Sequence, residues 1–396
     1  MNESASAQER DRFIIGYGWR MLLVVSFGWA VIQTVRFILP VLLPDIRLDL
    51  SLSLTQGGIA LTVLNLAYGL SQYPGGRYSD SWSRITVIIP GLILLVLGSF
   101  FLWAAWGFLS LVLACGLFGI GMGLYAIPVR ALISDLFDQH RGRALGVLAA
   151  GADIGGVVAS GLAILTLAIA TWQTPFFPIA ILLGSVAVLY FVWSTESFAY
   201  KPTSLGIVST TRRMITTPSQ RWTLVVFTLF YFMMTGVINF LPEFLRTAKG
   251  FSPGMASASF ALLFGFGIVI KPLAGSISDK FSRRLISATG LLICTVALFI
   301  LILVGSVAAV LIGIFLFALG YKAQLPLMDA IIMDDAPQSS MGADLGAART
   351  LFLGVGSLGP AVVGFLTDMY NFTVSFAFLG LCLVIAAGIF VWQERQ

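Results

Sequence analysis

The sequence predicts an all-α membrane protein, with twelve transmembrane helices in two pseudo-symmetric six-helix bundles. Three observations carry that expectation. Of the 396 residues, 58% are hydrophobic and only 10% charged, whereas soluble proteins carry about 25% charged residues; a chain this apolar has lipid as its solvent. Twelve stretches approach the ~20 apolar residues that a spanning helix needs. Polar landmarks of the first half recur in the second at an offset near 199 residues.

The spans are expected at 19–43, 56–75, 85–107, 109–133, 144–169, 175–194, 222–242, 256–275, 285–304, 307–330, 345–367 and 373–392. In the first, Ser26, Trp29, Gln33, Arg36 and Pro40 follow spacings of three and four, which puts them on one helical face. The second repeats the device with Asn65, Tyr68 and Gln72, and the seventh with Tyr231, Thr235, Asn239 and Glu243. Asp153 sits in the fifth span within "GADIGG", Lys271 in the eighth, Lys322 in the tenth and Arg349 in the eleventh, with Asp329 nearer the end of the tenth. The third, sixth, ninth and twelfth spans carry no deep charge. The longest break is polar and basic, so the chain divides into 1–195, a linker at 196–221, and 222–396.

Lysines and arginines favour cytoplasmic loops. With the N-terminus inside, the cytoplasmic ends take most of them, Arg77, Arg84, Arg130, Arg141 and Arg143 among them, while the outer ends take only Arg47, Arg246 and Lys249. Both termini are therefore expected in the cytoplasm, and the chain in the plasma membrane. The net charge of +5 is spread over short loops without an aromatic-interleaved patch, which argues against nucleic acid. Cys115, Cys294 and Cys382 lie in apolar runs and read as packing residues, with no disulfide and no metal expected. The polar N-terminus lacks the apolar core of a cleavable signal peptide. No phosphate-binding glycine loop, metal cluster or Ser/His pair is present, and His140 falls in a solvated loop, so neither an enzyme nor a cofactor is expected. Ion or solute gradients are left as the energy source.

Gly76 and Asp80 recur as Gly275 and Asp279, Pro128 as Pro326, and Gly142/Gly146 as Gly342/Gly346. A duplicated six-helix unit points to a secondary transporter with its site between the repeats. "GSISDKFSRR" (275–284), its weaker partner "GRYSDSWSR" (76–84) and "RGRALG" (141–146) resemble signatures of the major facilitator superfamily, over essentially the whole chain. The resemblance implies that Asp80, Arg84, Asp279, Lys280, Arg283 and Arg284 gate the cytoplasmic side. It also implies that spans 1, 4, 7 and 10 line a cavity, that 2, 5, 8 and 11 flank it, and that 3, 6, 9 and 12 face lipid. The segregation of deep charges agrees with that plan.

An ionisable residue inside a membrane marks a substrate or ion path by default. At 1.5 Å per residue, Arg36 falls roughly 8 Å outward of its helix centre, Asp153 and Lys322 lie near the middle, and Lys271 and Arg349 fall roughly 9 to 10 Å toward the cytoplasm. Four cations against one mid-membrane carboxylate predict a positive cavity and an anionic substrate. The binding candidates are Gln33, Arg36, Tyr125, Tyr231, Asn239, Lys271, Lys322 and Arg349. Lys271 precedes "PLAG", where oxalate/formate-type antiporters and nitrate porters are similar and place an anion-binding cation; its alternative is snorkelling to the interface. Arg349 either meets the ligand or pairs with Asp80 or Asp344. Asp153 either carries a coupling proton or neutralises Lys322 or Arg36. The expected activity is transport of a small carboxylate, proton-coupled or by exchange, by a monomer. The alternatives are a proton-driven exporter of amphipathic drugs, and a sensor that does not transport.

Overall fold

Residues 2–137, 139–203, 212, 215–278, 280–335 and 341–395 are described in the structure, a computed structural model; side chains of 2–15, Pro272, Gly275 and 341–345 are outside that description. Asp279 lies outside the described residues. In chain order the helices are α1 (Asn2–Asp49), α2 (Leu54–Ser81), α3 (Arg84–Trp103), α4 (Phe108–Leu136), α5 (Arg141–Ile169), α6 (Phe176–Trp193), α7 (Pro218–Thr247), α8 (Pro253–Ser278), α9 (Arg283–Leu303), α10 (Val307–Asp334), α11 (Met341–Gly356), α12 (Gly359–Met369) and α13 (Phe372–Glu394). Among the described residues every regular element is helical.

Among the described residues, eleven segments are long and apolar enough to cross a membrane, with α11 and α12 joined as one, Gly346–Met369. A further long helix, α2, has 28 residues and carries Asn65 and Gln72 buried along it. Side-chain caps start several helices where loops must stop. Ser53 and Gln56 form a reciprocal capping box at α2, and Ser282, Ser306 and Asn371 each accept a backbone N–H at the starts of α9, α10 and α13. Such caps satisfy amide groups that a helix leaves open at its N-terminus.

The eleventh span was expected as one helix over 345–367. It is instead broken after Gly356 and restarts at Gly359. Pro360 at the start of α12 has no N–H to continue a ladder and fits only a first turn. A side chain on Gly359 would overlap the Phe232 carbonyl of α7, so the break also brings two backbones into contact.

Among helices of the first half, α2 packs on α4, α3 on α4 and α6, and α1 on α5 and α6; in the second half α9 packs on α10 and α13, and α7 on α11, α12 and α13. The helices expected to face lipid expose apolar side chains, including Phe100 and Trp103 on α3, Phe191 on α6, Phe299 on α9 and Leu381 on α13. The start of the linker lies on the α2–α3 junction: Ile85 N donates to Glu196 Oε2 at 3.0 Å, and Trp82 Nε1 to the Lys201 carbonyl at 2.6 Å.

At the end remote from the termini, polar ties cross between the halves. Arg47 of α1 pairs with Glu243 of α7 at 2.6 Å, and Arg246 of α7 with Asp45 of α1 at 2.5 Å. Asp368 of α12 accepts the Thr55 N–H of α2 at 2.7 Å and the Leu54 N–H at 3.2 Å. At the same crossing, a side chain on Gly58 would overlap the Pro360 carbonyl, and one on Gly364 the Leu54 carbonyl. At the opposite end Arg84 pairs with Asp80 and Asp135, Arg283 with Asp334, and Arg284 with Asp335. Each of those pairs stays within one half.

Gly58→Ala and Gly364→Ala should each destabilise this arrangement by about 1–3 kcal/mol, the usual cost of forcing volume into a packed contact. Gly161→Ala, where a Cβ would meet open space, should change little. Melting curves of the three purified variants check the difference.

Candidate functional site

Side chains from α1, α2, α4, α5, α7, α8, α10 and α11 surround a cavity of about 460 Å³. Among the described residues none comes from α3, α6, α9 or α13, the helices that the family resemblance implies face lipid. The cavity carries, among the described residues, five cations, Arg36, Arg130, Lys271, Lys322 and Arg349, against two carboxylates, Asp153 and Asp329.

Arg36 has no carboxylate partner among the described residues. Its Nη2 donates to Asn65 Oδ1 at 3.0 Å and to the Tyr231 hydroxyl at 3.2 Å. Its guanidinium lies 5.1 Å from the Tyr68 ring centre and 5.6 Å from that of Phe37. Aromatic faces stabilise such a cation by about 0.5–2 kcal/mol. They orient it without cancelling its charge.

Asp153 is held from two sides. Lys322 Nζ donates to its Oδ1 at 2.9 Å, and Lys271 Nζ to its Oδ2 at 2.5 Å. Lys322 is only 2% exposed and also lies 4.5 Å from the Phe264 ring centre. The approach depends on Gly267, where a Cβ would come within 2.9 Å of Lys322 Cε and 3.1 Å of Asp153 Oδ1. Lys271 therefore does not snorkel to the interface. Helical side chains tilt toward the helix N-terminus, and on α8 that direction leads from Lys271 back to mid-membrane. The depth reckoned from Cα positions missed this, and no nearby cation in sequence announced it for Asp153.

Arg349 pairs with Asp329, at 2.6 and 2.8 Å from its Nη2. It does not pair with Asp80, which binds Arg84 instead, and Asp344 lies outside the described side chains. Gln33, Tyr231 and Asn239 line the cavity as expected. Tyr125 does not. It is fully buried, its hydroxyl donates to the Val25 carbonyl at 2.8 Å, and its ring stacks behind Trp29. Gly28 leaves room for that ring against α1, which turns Tyr125 into a helix-packing residue.

Arg130 was expected at a cytoplasmic helix end, yet it lines the cavity, 5.5 Å from the Trp29 ring centre. The expected span stopped at 133, whereas α4 continues to Leu136. Pro128, two residues before it, was read as a mark of the repeat and not as a marker of depth. Of the gating candidates, Asp80, Arg84, Arg283 and Arg284 form the pairs described above, and Lys280 is exposed.

Replacing Asp153 by Asn should leave two lysines without a counter-charge, and removing one partner of a buried ion pair costs about 3–5 kcal/mol. Asp153→Asn combined with Lys322→Met should recover part of that loss, because the double change deletes one of the stranded charges. Melting temperatures of the single and double variants measure the coupling.

The family profile of the Major Facilitator Superfamily matches residues 25–360, with a further match at 268–396. The hexuronate transporter of Bacillus subtilis (strain 168) is 26% identical over 385 residues, covering 91% of this chain and 89% of that protein. The cis,cis-muconate transport protein of Acinetobacter baylyi is 23% identical, covering 99% and 98%. Among solved structures, a bacterial homologue of the human lysosomal transporter Spinster, in an inward-facing and occupied conformation, superimposes with a TM-score of 0.80 at 20% identity, covering 94% and 96%. With the fold and the sequence in agreement along nearly the whole length, the chain belongs to the Major Facilitator Superfamily, whose members are membrane transporters and not enzymes.

Proposed function

We propose that the protein is a secondary transporter of a small organic anion of the carboxylate class, working by alternating access. The observation that carries this reading is Arg36, a cation inside the membrane-spanning region with no carboxylate partner among the described residues. It opens on a cavity where cations outnumber carboxylates five to two. A charge at mid-membrane costs about 2.5–3.5 kcal/mol on insertion scales, and an anionic ligand offsets that cost. Two of the related transporters carry organic acids by name, hexuronate and cis,cis-muconate, which supports the same class.

In this reading two six-helix bundles, 1–195 and 222–396, rock about the cavity, with linker 196–221 and both termini cytoplasmic. The clasp of Asp45, Arg47, Glu243 and Arg246 is the outer gate, here closed. Asp80, Arg84, Asp279, Lys280, Arg283 and Arg284 serve the cytoplasmic gate. The pairs of Arg84, Arg283 and Arg284 within their own halves are compatible with a cytoplasmic side that is released. Arg36, Lys322 and Lys271 receive the carboxylate, with Arg130 and Arg349 deepening the positive field. In this reading Asp153 carries the coupling proton, because a ligand that takes Lys322 and Lys271 displaces its two partners. Proton and anion would then move together. A drug exporter for cationic amphiphiles would need a free carboxylate, and Asp153 is engaged by two lysines.

Arg36→Gln and Lys322→Gln should each weaken binding of the anion by about 1.5–3 kcal/mol, the scale of hydrogen bonds to charged groups. Lys271→Gln should do the same. Asp153→Asn should retain binding while removing the pH dependence of uptake into proteoliposomes. If neither Arg36→Gln nor Lys322→Gln alters binding of any organic acid, the reading fails.

The gate can be tested separately. In a protein carrying Asn239→Cys, adding Asp45→Asn and Glu243→Gln should speed labelling by an impermeant thiol reagent applied from outside. Unchanged labelling would remove the clasp from the gating scheme.

A further inference from the structure

Two glutamines of the cavity wall have polar atoms that nothing in the described protein satisfies. Gln72 is 3% exposed, and neither its Oε1 nor its Nε2 has a hydrogen-bond partner; Gln33 is 4% exposed, and its Oε1 has none. Among the described residues, these are the cavity-lining side chains with buried, unpartnered polar atoms. Both flank the Arg36 platform. Gln33 precedes Arg36 by three residues on α1, so the two share a helical face. Gln72 follows Tyr68 by four on α2, and it is the Tyr68 ring that underlies the Arg36 guanidinium.

The chemistry of these atoms limits the ligand. A carboxylate accepts hydrogen bonds and donates none. It suits Arg36 and the lysines but cannot satisfy the carbonyl oxygens of Gln33 and Gln72. Gln72 presents one unmet acceptor and one unmet donor whichever way its amide is turned, and Gln33 adds an unmet acceptor; an alcohol hydroxyl matches both kinds. The Tyr231 hydroxyl, which accepts from Arg36, retains its own proton for a further acceptor. The wall thus pairs a cation with neutral groups of mixed polarity, and an unmet buried acceptor penalises any ligand that brings no donor.

We propose that Gln33 and Gln72 are specificity-determining residues that read hydroxyl groups, so that the substrate is a hydroxylated carboxylate and not a plain one. This rests on the organic-anion reading above and narrows it.

The test is calorimetric binding to the purified full-length protein, using acids matched in carbon number and charge: succinate with tartrate, adipate with galactarate, and hexanoate with gluconate. In at least one pair the hydroxylated acid should bind about tenfold or more tightly, since sites built to hydrogen-bond a hydroxyl reject analogues lacking it. Gln72→Met and Gln33→Met should each reduce that ratio, and the double variant should bring it near one. Plain acids binding as tightly as their hydroxylated partners would overturn this inference and leave the organic-anion reading standing. A preference that survives the double variant would overturn the assignment to these two residues. If no acid of any pair binds, the organic-anion reading fails and this inference with it. The wild-type comparison needs no variant to fold.

Discussion

The need to neutralise charge away from water organises the centre of this molecule, and Asp153 is where that need is met. Its two oxygens take Lys322 from α10 and Lys271 from α8, so one carboxylate of the first half anchors two helices of the second. The surrounding glycines follow from this. Gly155 lets α5 approach the Ala30 carbonyl and Gln33 of α1, Gly156 receives the Phe264 ring of α8, and Gly267 clears the way for Lys322. Larger residues at these positions would push apart the helices that bring the three charges together. Two lysines on one carboxylate still leave a surplus positive charge, and Arg36 adds another. Among the described residues the interior is neutralised incompletely, and a cavity with surplus positive charge is the consequence.

Duplication explains why the outer ties come in a reciprocal set. Asp45 and Glu243 stand near one repeat apart, as do Arg47 and Arg246. Each half therefore presents an acid and, two or three residues on, an arginine at the end of its first helix. When α1 and α7 meet, the acid of each finds the arginine of the other. The same duplication gives Arg84–Asp135 and Arg283–Asp334, but there both members belong to the same half. One ancestral pattern thus yields contacts between the halves at one end and within them at the other. In the proposed cycle the former must break and the latter can persist.

Much of this was legible in the sequence, for a physical reason. Lipid exposure forces long apolar runs, and burial of charge forces polar residues onto the faces of a few helices. The spans, the stripes on the first, second and seventh, and the sparing of the third, sixth, ninth and twelfth all follow from that. Contacts between distant residues did not follow. Nothing local ties Asp153 to Lys271, 118 residues away; the direction in which a lysine leans decides it. Arg130 was hidden because a basic residue near a helix end reads as a topology signal, and Tyr125 misled because a tyrosine on a cavity-lining helix can turn its hydroxyl to a neighbouring carbonyl. The break at Ser357 and Leu358 coincides with Gly359–Pro360, because proline fits a helix only in its first turn.

Binding and gate movement can be coupled only if the ligand interacts differently with the two conformations. The cavity supplies such a difference, because its cations are shared between the halves. Arg36 belongs to α1 yet donates to Tyr231 of α7, and Lys322 and Lys271 belong to the second half yet bind Asp153 of the first. An anion held by Arg36 and Lys322 together would replace these internal links by a link through itself. Its hold would then depend on the separation of the halves, which is the coordinate that alternating access changes. A site confined to one half could bind as tightly and shift nothing. In the proposed cycle, the distribution of charge over both halves therefore serves transport, beyond affinity alone.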